Sequence, residues 1–447
     1  MRFQAVAHGL IVTAVILTTT ACVKRPPSPH VVANETAEAN SQEDVSKPPL
    51  EGMEAATPKL AEIQWPPKFT AEQLRGSVKR SIDYLVRTTD DQGKFAYIIN
   101  TDPEIPPTDE YNVVRHAGTM YGLGMYLERY DEDADQVRAT LLKHGQFLRK
   151  QMQPVEGQED MLAIWSDPSV TGLEGPARAE LGSAALGLIG LSCVEREAPG
   201  SVPPEELTAL ANFVLFMQRE DGGFAARYIE GEGKQEVPVL LFYPGEAALA
   251  LVLLYEVDEN PRWLEAAAQA IAYMSRQRQE DRRPLLDHWM LLATARIWPL
   301  YGKTAQPVSR EHLIHYSLDL CELLMEQRPV RIDDPRIKGC ITGNGMTCPT
   351  ATRVEGLVAA LSYLTDEHAT MRAKVRRVSE DAIVFLMNSQ VTEGKYRGGV
   401  PYAMFRLPED HPYYRRQYNL LAGEIRIDYV HHAISGMMLY DDVVLRD

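Results

Sequence analysis

The stretch YNVVRHAGTMYGLGMYLERY, Tyr111–Tyr130, has helical spacing and many small residues, and it opens on an adjacent Arg115 and His116. A helix this short of polar side chains is surrounded by protein. Five later stretches read the same way, at about 178–194, 244–256, 287–300, 351–364 and 428–440, all dominated by Ala, Gly, Leu and Met. Between them run helices with one charged side, at about 71–88, 133–152, 204–218, 261–278, 309–327 and 369–388. Half-exposed helices show a polar face, and helices apolar all round are buried. Six of each in strict alternation predict an all-α fold, an (α/α)6 barrel of six outer and six inner helices. Gly118, Gly122, Gly182, Gly187, Ala247, Ala250, Gly356 and Ala359 let the inner ring close.

The connections are asymmetric. Turns from an inner to the next outer helix are short, as at Asp131-Glu132 and Asp258-Glu259-Asn260. From outer to inner the chain needs long segments: 89–111, 153–177, 219–243, 328–350 and 389–427. Long loops in a compact domain are commonly functional. These gather above the N-termini of the inner helices, and that end is where a site is expected.

Three of the long loops begin alike, with DDQGKFAYII from Asp90, EDGGFAARYI from Glu220 and EGKYRGGVPYA from Glu393. An acidic residue, Gly and an aromatic predict a turn into a short strand, giving small β-hairpins at one end. MQREDGGF, Met217–Phe224, resembles the Q-x-x-D-G-G-aromatic repeat of terpenoid cyclases and protein prenyltransferase β-subunits, which are α/α toroids. The chain as a whole looks like a member of the group holding six-hairpin glycosidases, uronate lyases, sugar 2-epimerases and the glucuronyl epimerase helical domain. That resemblance implies carbohydrate as the substrate class.

Aligned on their small residues, the inner stretches RHAGT, AELGS, PGEAA, LDHWM, RVEGL and HHAIS place one polar residue at an equivalent position. These residues are His116, Glu180, Glu246, His288, Glu355 and His432, the candidate catalytic ring at the barrel mouth. A Glu in a first helical turn also complements the helix dipole, and Thr352-x-x-Glu355 has the pattern of a capping box. A histidine there lacks that explanation, because the dipole disfavours its cation and keeps the ring neutral, as a proton acceptor needs. Arg115, Arg353, Asp287, Asp428, Tyr429 and Tyr243 adjoin the ring as candidate substrate-binding residues, with Tyr111, Trp165, Trp289 and Tyr402 as stacking surfaces. HPYYRRQYN, His411–Asn419, could cover the site.

The net charge of −16 over 447 residues excludes a nucleic-acid footprint, which is basic. Arg2, the apolar run Gly9–Leu17 and TTTAC ending at Cys22 resemble a bacterial lipoprotein signal, with Thr19 where Leu is usual. The run is too short to span a membrane. The expected order is signal 1–22, a Pro-, Ser- and Glu-rich disordered tether 23–67 and a barrel domain 68–447. Cys22 would carry the lipid (palmitate), holding the protein in the cell envelope, on the outer membrane facing the periplasm. Cys193 and Cys321 lie in apolar helices as core thiols, and Cys340 and Cys348 share the loop KGCITGNGMTCP, placed for a disulfide in an oxidising compartment.

Hydrolysis of glycosides needs two carboxylates, one held protonated, and no motif selects a pair. Epimerisation or β-elimination of a uronate needs a base, an acid and an Arg for the carboxylate, which His116, His288, His432, Arg115, Arg353 and Tyr429 fit better. The YDED at 130–133 is on the wrong end for a terpenoid-cyclase acid. No zinc ligand spacing, phosphate loop, haem or flavin signature is present, so no cofactor or metal is expected. The alternatives are a lipoprotein that binds glycan or peptide without chemistry and a terpenoid-cyclase-like protein.

Overall fold

Thr70 starts the first helix by accepting the Gln73 N–H, while the Gln73 side chain returns to the Thr70 N–H at 2.8 Å, a reciprocal cap. Helix α1 (Ala71–Arg87) then buries one stripe, Leu74, Val78, Ile82 and Leu85, and leaves its other side to solvent. The computed structural model describes residues 69–446, apart from 107, 109, 173–175, 236–241, 281–285, 327–334 and 411–415. The expected leader, Cys22, the tether and the first half of 411–419 lie outside the described residues.

The outer helices are α1, α3 (Ala134–Arg149), α6 (Pro204–Met217), α8 (Pro261–Glu280), α10 (Arg310–Met325) and α12 (Ala369–Ser389). The inner ones are α2 (Val113–Leu127), α5 (Leu181–Glu197), α7 (Tyr243–Asp258), α9 (His288–Ile297), α11 (Thr347–Leu361) and α14 (Ile427–Tyr440). Each inner helix packs on the next, and α14 returns to α2, so the ring closes. Every residue of α7 from Tyr243 to Tyr255 is buried, as is every residue of α5 from Leu181 to Val194. Each fully buried Leu, Ile or Val adds about 1.5–3 kcal/mol over leaving it exposed. The (α/α)6 architecture read from the alternation is the one observed. No helix among the described residues is long and apolar enough to cross a membrane.

Among the described residues the long loops carry short helices α4 (Pro168–Thr171) and α13 (Arg416–Leu421) and seven strands. Strand β1 (Ile98–Asn100) pairs antiparallel with β7 (Glu424–Arg426), joining the first sector of the barrel to the last. Strands β2 (Met152–Val155) and β3 (Gln158–Ile164) form a hairpin, while β4 (Arg178–Glu180), β5 (Arg227–Ile229) and β6 (Gly233–Gln235) form a three-stranded sheet.

The repeated acidic-Gly-aromatic turns have a structural task. Asp221 Oδ1 accepts the Gly223 N–H at 2.9 Å, and Gly222, at φ +93°, lies against the backbone of α8. A Cβ at Gly222 would stand 2.5 Å from the Gln269 carbonyl oxygen. Gly93, Gly339 and Gly398 take the same left-handed conformation, and a Cβ there would meet backbone oxygens of Lys143 (α3), Asp381 (α12) and Arg80 (α1) at 2.3, 2.1 and 1.9 Å. Each turn thus fastens the end of one outer helix to the next, and Gly398 fastens the last to the first. Only glycine satisfies both the backbone angle and the gap.

The expected disulfide is not formed. Cys340 and Cys348 are not joined, and the buried Cys340 Sγ instead lies 3.2 Å from Thr342 Oγ1 and 3.4 Å from Thr350 Oγ1. Cys348 sits in the first turn of α11. Cys193 and Cys321 are buried as expected.

Candidate functional site

Glycines on the inner helices make room for polar side chains of the next helix. A Cβ on Gly356 of α11 would lie 3.0 Å from the His288 Cβ, and one on Gly118 of α2 would lie 3.0 Å from His431 Cε1. One on Gly182 would strike the Tyr243 ring and Glu246 Oε2, and one on Gly245 would strike Trp289 and Asp287 Oδ1. The inner ring therefore closes around polar groups at the N-terminal ends of its helices.

Three members of the expected ring meet there. His432 Nδ1 lies 2.7 Å from Glu355 Oε2, and His288 Nε2 approaches the same oxygen to 3.3 Å. A carboxylate only accepts, so His432 carries its proton on Nδ1. His288 and Glu355 are each 1% exposed. Burial alone would raise the Glu355 carboxyl, but the two imidazoles hold it down at about 2. Burial pushes His288 below its usual range against the pull of Glu355, so the ring stays neutral. Neither His288 nitrogen has a hydrogen-bond partner among the described residues, because the 3.3 Å approach to Glu355 is misaligned.

His431 completes this group. Its ring stacks beside His432 at 4.0 Å, and Nδ1 lies 3.2 Å from the Thr119 hydroxyl, which itself donates to the Arg115 carbonyl. Nδ1 is therefore the donor, and the buried Nε2 is left without a partner. Trp289 reaches across to Tyr121 of α2, with centroids 6.2 Å apart, and α2 and α9 are opposite members of the ring.

On the other side of α9, Asp287 caps the helix by accepting the Trp289 N–H at 3.1 Å. Asp287 and Glu246 are buried near each other, and burial followed by their mutual repulsion pushes Glu246 well above the usual carboxyl range. Burial also raises Tyr243, with Glu180 and Glu246 adding to it. Glu180 is paired with Arg178 at 2.9 Å and lies 3.7 Å from Arg227.

Asp428 is a structural clamp. It takes the Arg426 guanidinium at 2.6 and 2.9 Å and Arg115 Nε at 3.0 Å, while Arg115 also donates to the Tyr97 hydroxyl at 3.1 Å. Burial would raise Asp428, yet Arg426 and Arg115 hold it far below the carboxylate range. Tyr429 donates to Glu424 at 2.9 Å and stacks under Arg426. These groups tie β1 and β7 to α2 and α14.

Two expected members are elsewhere. His116 turns toward the outer ring: Nε2 donates to the His144 carbonyl at 3.3 Å, Nδ1 accepts from the Tyr111 hydroxyl at 2.7 Å, and Phe95 and Phe147 flank it. Burial drops it to about 3, a satisfied core imidazole. Arg353 reaches the carbonyls of Leu324 and Glu326 at the end of α10. Thr352 is no N-cap, because α11 starts earlier, at Thr347, and Glu355 lies two turns inside it. Tyr111 packs with His116, and Trp165 edges against Tyr228, so neither stacks on the axis.

The expectation of no metal ligands did not foresee that His288, Glu355 and His432 each bring one possible ligand atom within 4.8 Å of the others. Two His and one Glu are the donor set of many zinc sites. The 2.7 Å between His432 and Glu355 is shorter than the ~3.3 Å between ligand atoms bonded tetrahedrally at about 2.0–2.1 Å. Glu355 and His432 form a hydrogen-bonded pair, and the group would have to open to hold an ion.

No protein-family model matches the chain, and no curated protein does. Among solved structures the chain superposes on cellobiose 2-epimerase from Spirochaeta thermophila DSM 6192, at 16% identity and TM-score 0.55, covering 84% of this chain and 97% of that one. It also superposes on the GH76 alpha-mannanase BT2949 of Bacteroides thetaiotaomicron, at 11% identity and TM-score 0.53, covering 84% and 97%. An unsaturated glucuronyl hydrolase specific for heparin matches at 12% identity and TM-score 0.53, covering 84% and 98%. At these identities the likeness establishes a shared (α/α)6 toroid.

Proposed function

We propose that this chain is an enzyme acting on a carbohydrate by proton transfer, with His288, Glu355 and His432 as its acid/base unit. The observation that carries the reading is Glu355 Oε2 set between two buried imidazoles at 3.3 and 2.7 Å. A carboxylate so placed fixes the tautomer of His432 and stabilises either imidazole when it gains a proton. An epimerase or isomerase, which moves a proton on and off carbon, uses this unit directly; a lyase uses half of it. The fold shared with a sugar epimerase, a mannanase and a glucuronyl hydrolase supports carbohydrate as the substrate class. Partners of other kinds, nucleic acid included, do not suit the acidic surface.

The test is solvent-deuterium incorporation into neutral and uronic-acid oligosaccharides, followed by proton NMR. Turnover by the wild-type chain and its loss in His432→Ala and Glu355→Gln, with melting unchanged, supports the assignment. No exchange, cleavage or elimination on any such sugar rejects it. The near-complete burial of His288 and Glu355 favours a second reading, a glycan-binding protein without chemistry, which requires saturable binding and no turnover.

Envelope anchoring through Cys22 belongs to the same proposal. Metabolic palmitate labelling of the wild type, absent in Cys22→Ser, would support it. Equal labelling or none would remove it.

A further inference from the structure

His288 has the spacing of a hydrogen bond to Glu355 without its alignment. Nε2 stands 3.3 Å from Glu355 Oε2, yet both nitrogens of this buried ring lack a hydrogen-bond partner among the described residues. An imidazole left so gives up the hydrogen bonds it made to water. About 3.3 Å is also the spacing of two ligand atoms on one tetrahedral ion, at bonds of about 2.0–2.1 Å. His288, Glu355 and His432 each bring one ligand atom within 4.8 Å of the others. They stand on three successive inner helices, α9, α11 and α14. Gly356 of α11 rests directly on the His288 backbone, where a Cβ would lie 3.1 Å from the His288 Cα. Packing of the ring thus holds the donors together without an ion.

Only the leg from His432 to Glu355 is too short, at 2.7 Å, by about 0.6 Å. The proton on His432 Nδ1 draws that pair together. An ion takes the Nδ1 lone pair, the ring carries its proton on Nε2 instead, and the two ligand atoms separate to the tetrahedral spacing. Two imidazoles and one carboxylate select zinc and its neighbours over calcium or magnesium. The His432 side chain is 11% exposed against 1% for the other two, so an ion enters past His432. Water fills the fourth position. His431 offers it an acceptor, because Nε2 is buried without a partner and the ring lies 4.0 Å from that of His432.

We propose that His288, Glu355 and His432 bind one divalent ion of the zinc class, and that the bound ion, by taking their lone pairs, switches off proton transfer at this site. The switch rests on the acid/base reading of these residues; the ion site does not.

The test titrates the full chain, untagged and freed of metal with a chelator, with zinc chloride by calorimetry and with cobalt(II) by visible absorption. The wild type should bind one equivalent and give the spectrum of four-coordinate cobalt. His315→Ala, at an exposed position of α10, should bind as the wild type does. Glu355→Gln and His432→Ala should each bind more weakly by at least about 100-fold, the upper end of what losing an outer-shell group costs. One equivalent of zinc should bring deuterium exchange by the wild type down to the level of His432→Ala, and a chelator should restore it. No binding by the wild type, a six-coordinate cobalt spectrum, or equal binding by both variants overturns the proposal. Loss of binding in His315→Ala does so too, since it marks coordination at the surface. Exchange that is unchanged or rises as zinc binds overturns the switch. A metal-free chain that exchanges no proton refutes the acid/base reading and the switch with it, while the titrations still decide the ion site. If Glu355→Gln does not fold, His432→Ala, at the exposed edge of the group, carries the same comparison.

Discussion

The two ends of the inner ring hold charge in opposite ways. At the C-terminal ends of the inner helices, Glu128 takes Arg196 at 2.6 Å and Arg129 at 2.9 Å, and Arg296 from the opposite helix lies 3.7 Å away. Arg296 also binds Glu256 at 2.6 Å, and Arg129 continues to Asp442. Each of these charged groups has an ion partner, even though Arg196 Nε and Asp442 Oδ1 make no hydrogen bond among the described residues, so the network closes that end. A cleft of about 400 Å³ nearby is lined by Arg75, Lys79, Arg129 and Arg446, all bonded to Asp441, Asp442, Asp83 or Asp133. At the N-terminal ends, His288, His431, Glu246 and Asp287 keep buried polar atoms without partners. A fold tolerates such atoms where something other than stability requires them.

Substitutions can break this contrast. The largest effect is expected in turnover: His288→Ala, His432→Ala and Glu355→Ala should each lower kcat by about 10²–10⁴-fold, the range of acid–base catalysis, in the deuterium-exchange assay. Comparable activity in all three would make the two ends alike. At the paired end, Glu128→Ala strands Arg196 and takes one of the ion partners from Arg129 and Arg296, and should cost about 1–3 kcal/mol in urea unfolding with kcat unchanged. Gly222→Ala should cost about 1–3 kcal/mol from the left-handed backbone alone, and more as the Cβ presses on Gln269, read as a lower melting temperature.

The pH dependence sharpens the same contrast. His116 falls from 6.5 to about 3 in the folded state, so below 6.5 the unfolded chain binds the extra proton. Stability is therefore lost as pH falls from 6.5 toward 3, by up to about 1.4 kcal/mol per pH unit for this one histidine. Replacing it, as in His116→Phe, should flatten that limb of a stability–pH curve without changing turnover. Glu246 runs the other way. Its raised folded value means the native state holds the extra proton, so stability declines as pH rises above the carboxyl range. In Glu246→Gln that decline should be absent, giving a small rise in melting temperature near neutral pH.

The alternation of charged-faced and apolar helices was fully readable, because exposure on one side leaves its mark on every turn of an outer helix. The acidic-Gly turns were readable as a repeat, although their purpose, fastening neighbouring outer helices, needs the Gly222–Gln269 contact to be seen. Of the six polar positions aligned from sequence, three converge at Glu355, while Glu180 pairs with Arg178 and Glu246 is buried on α7. His116 points away, and His431, one residue from the position chosen, takes its place against Gly118. The error has a physical origin. Adjacent residues on a helix differ by about 100° in direction, and an inner helix has no polar face to report its rotation. Gly118, Gly182, Gly245 and Gly356 were the available signal, since each marks where a neighbour's polar side chain fits.

Local chemistry thus determined the twelve helices, their two layers, the turns and the end of the barrel at which polar residues gather. Spacing of apolar residues and the backbone needs of glycine act within a few residues, and the sequence carries them directly. Tertiary structure alone decided which imidazoles share Glu355, that Asp428 belongs to the arginines, that Arg353 serves α10, and that Cys340 and Cys348 stay apart. Those outcomes depend on the rotation of helices that touch only protein, and only packing of the whole ring sets that rotation.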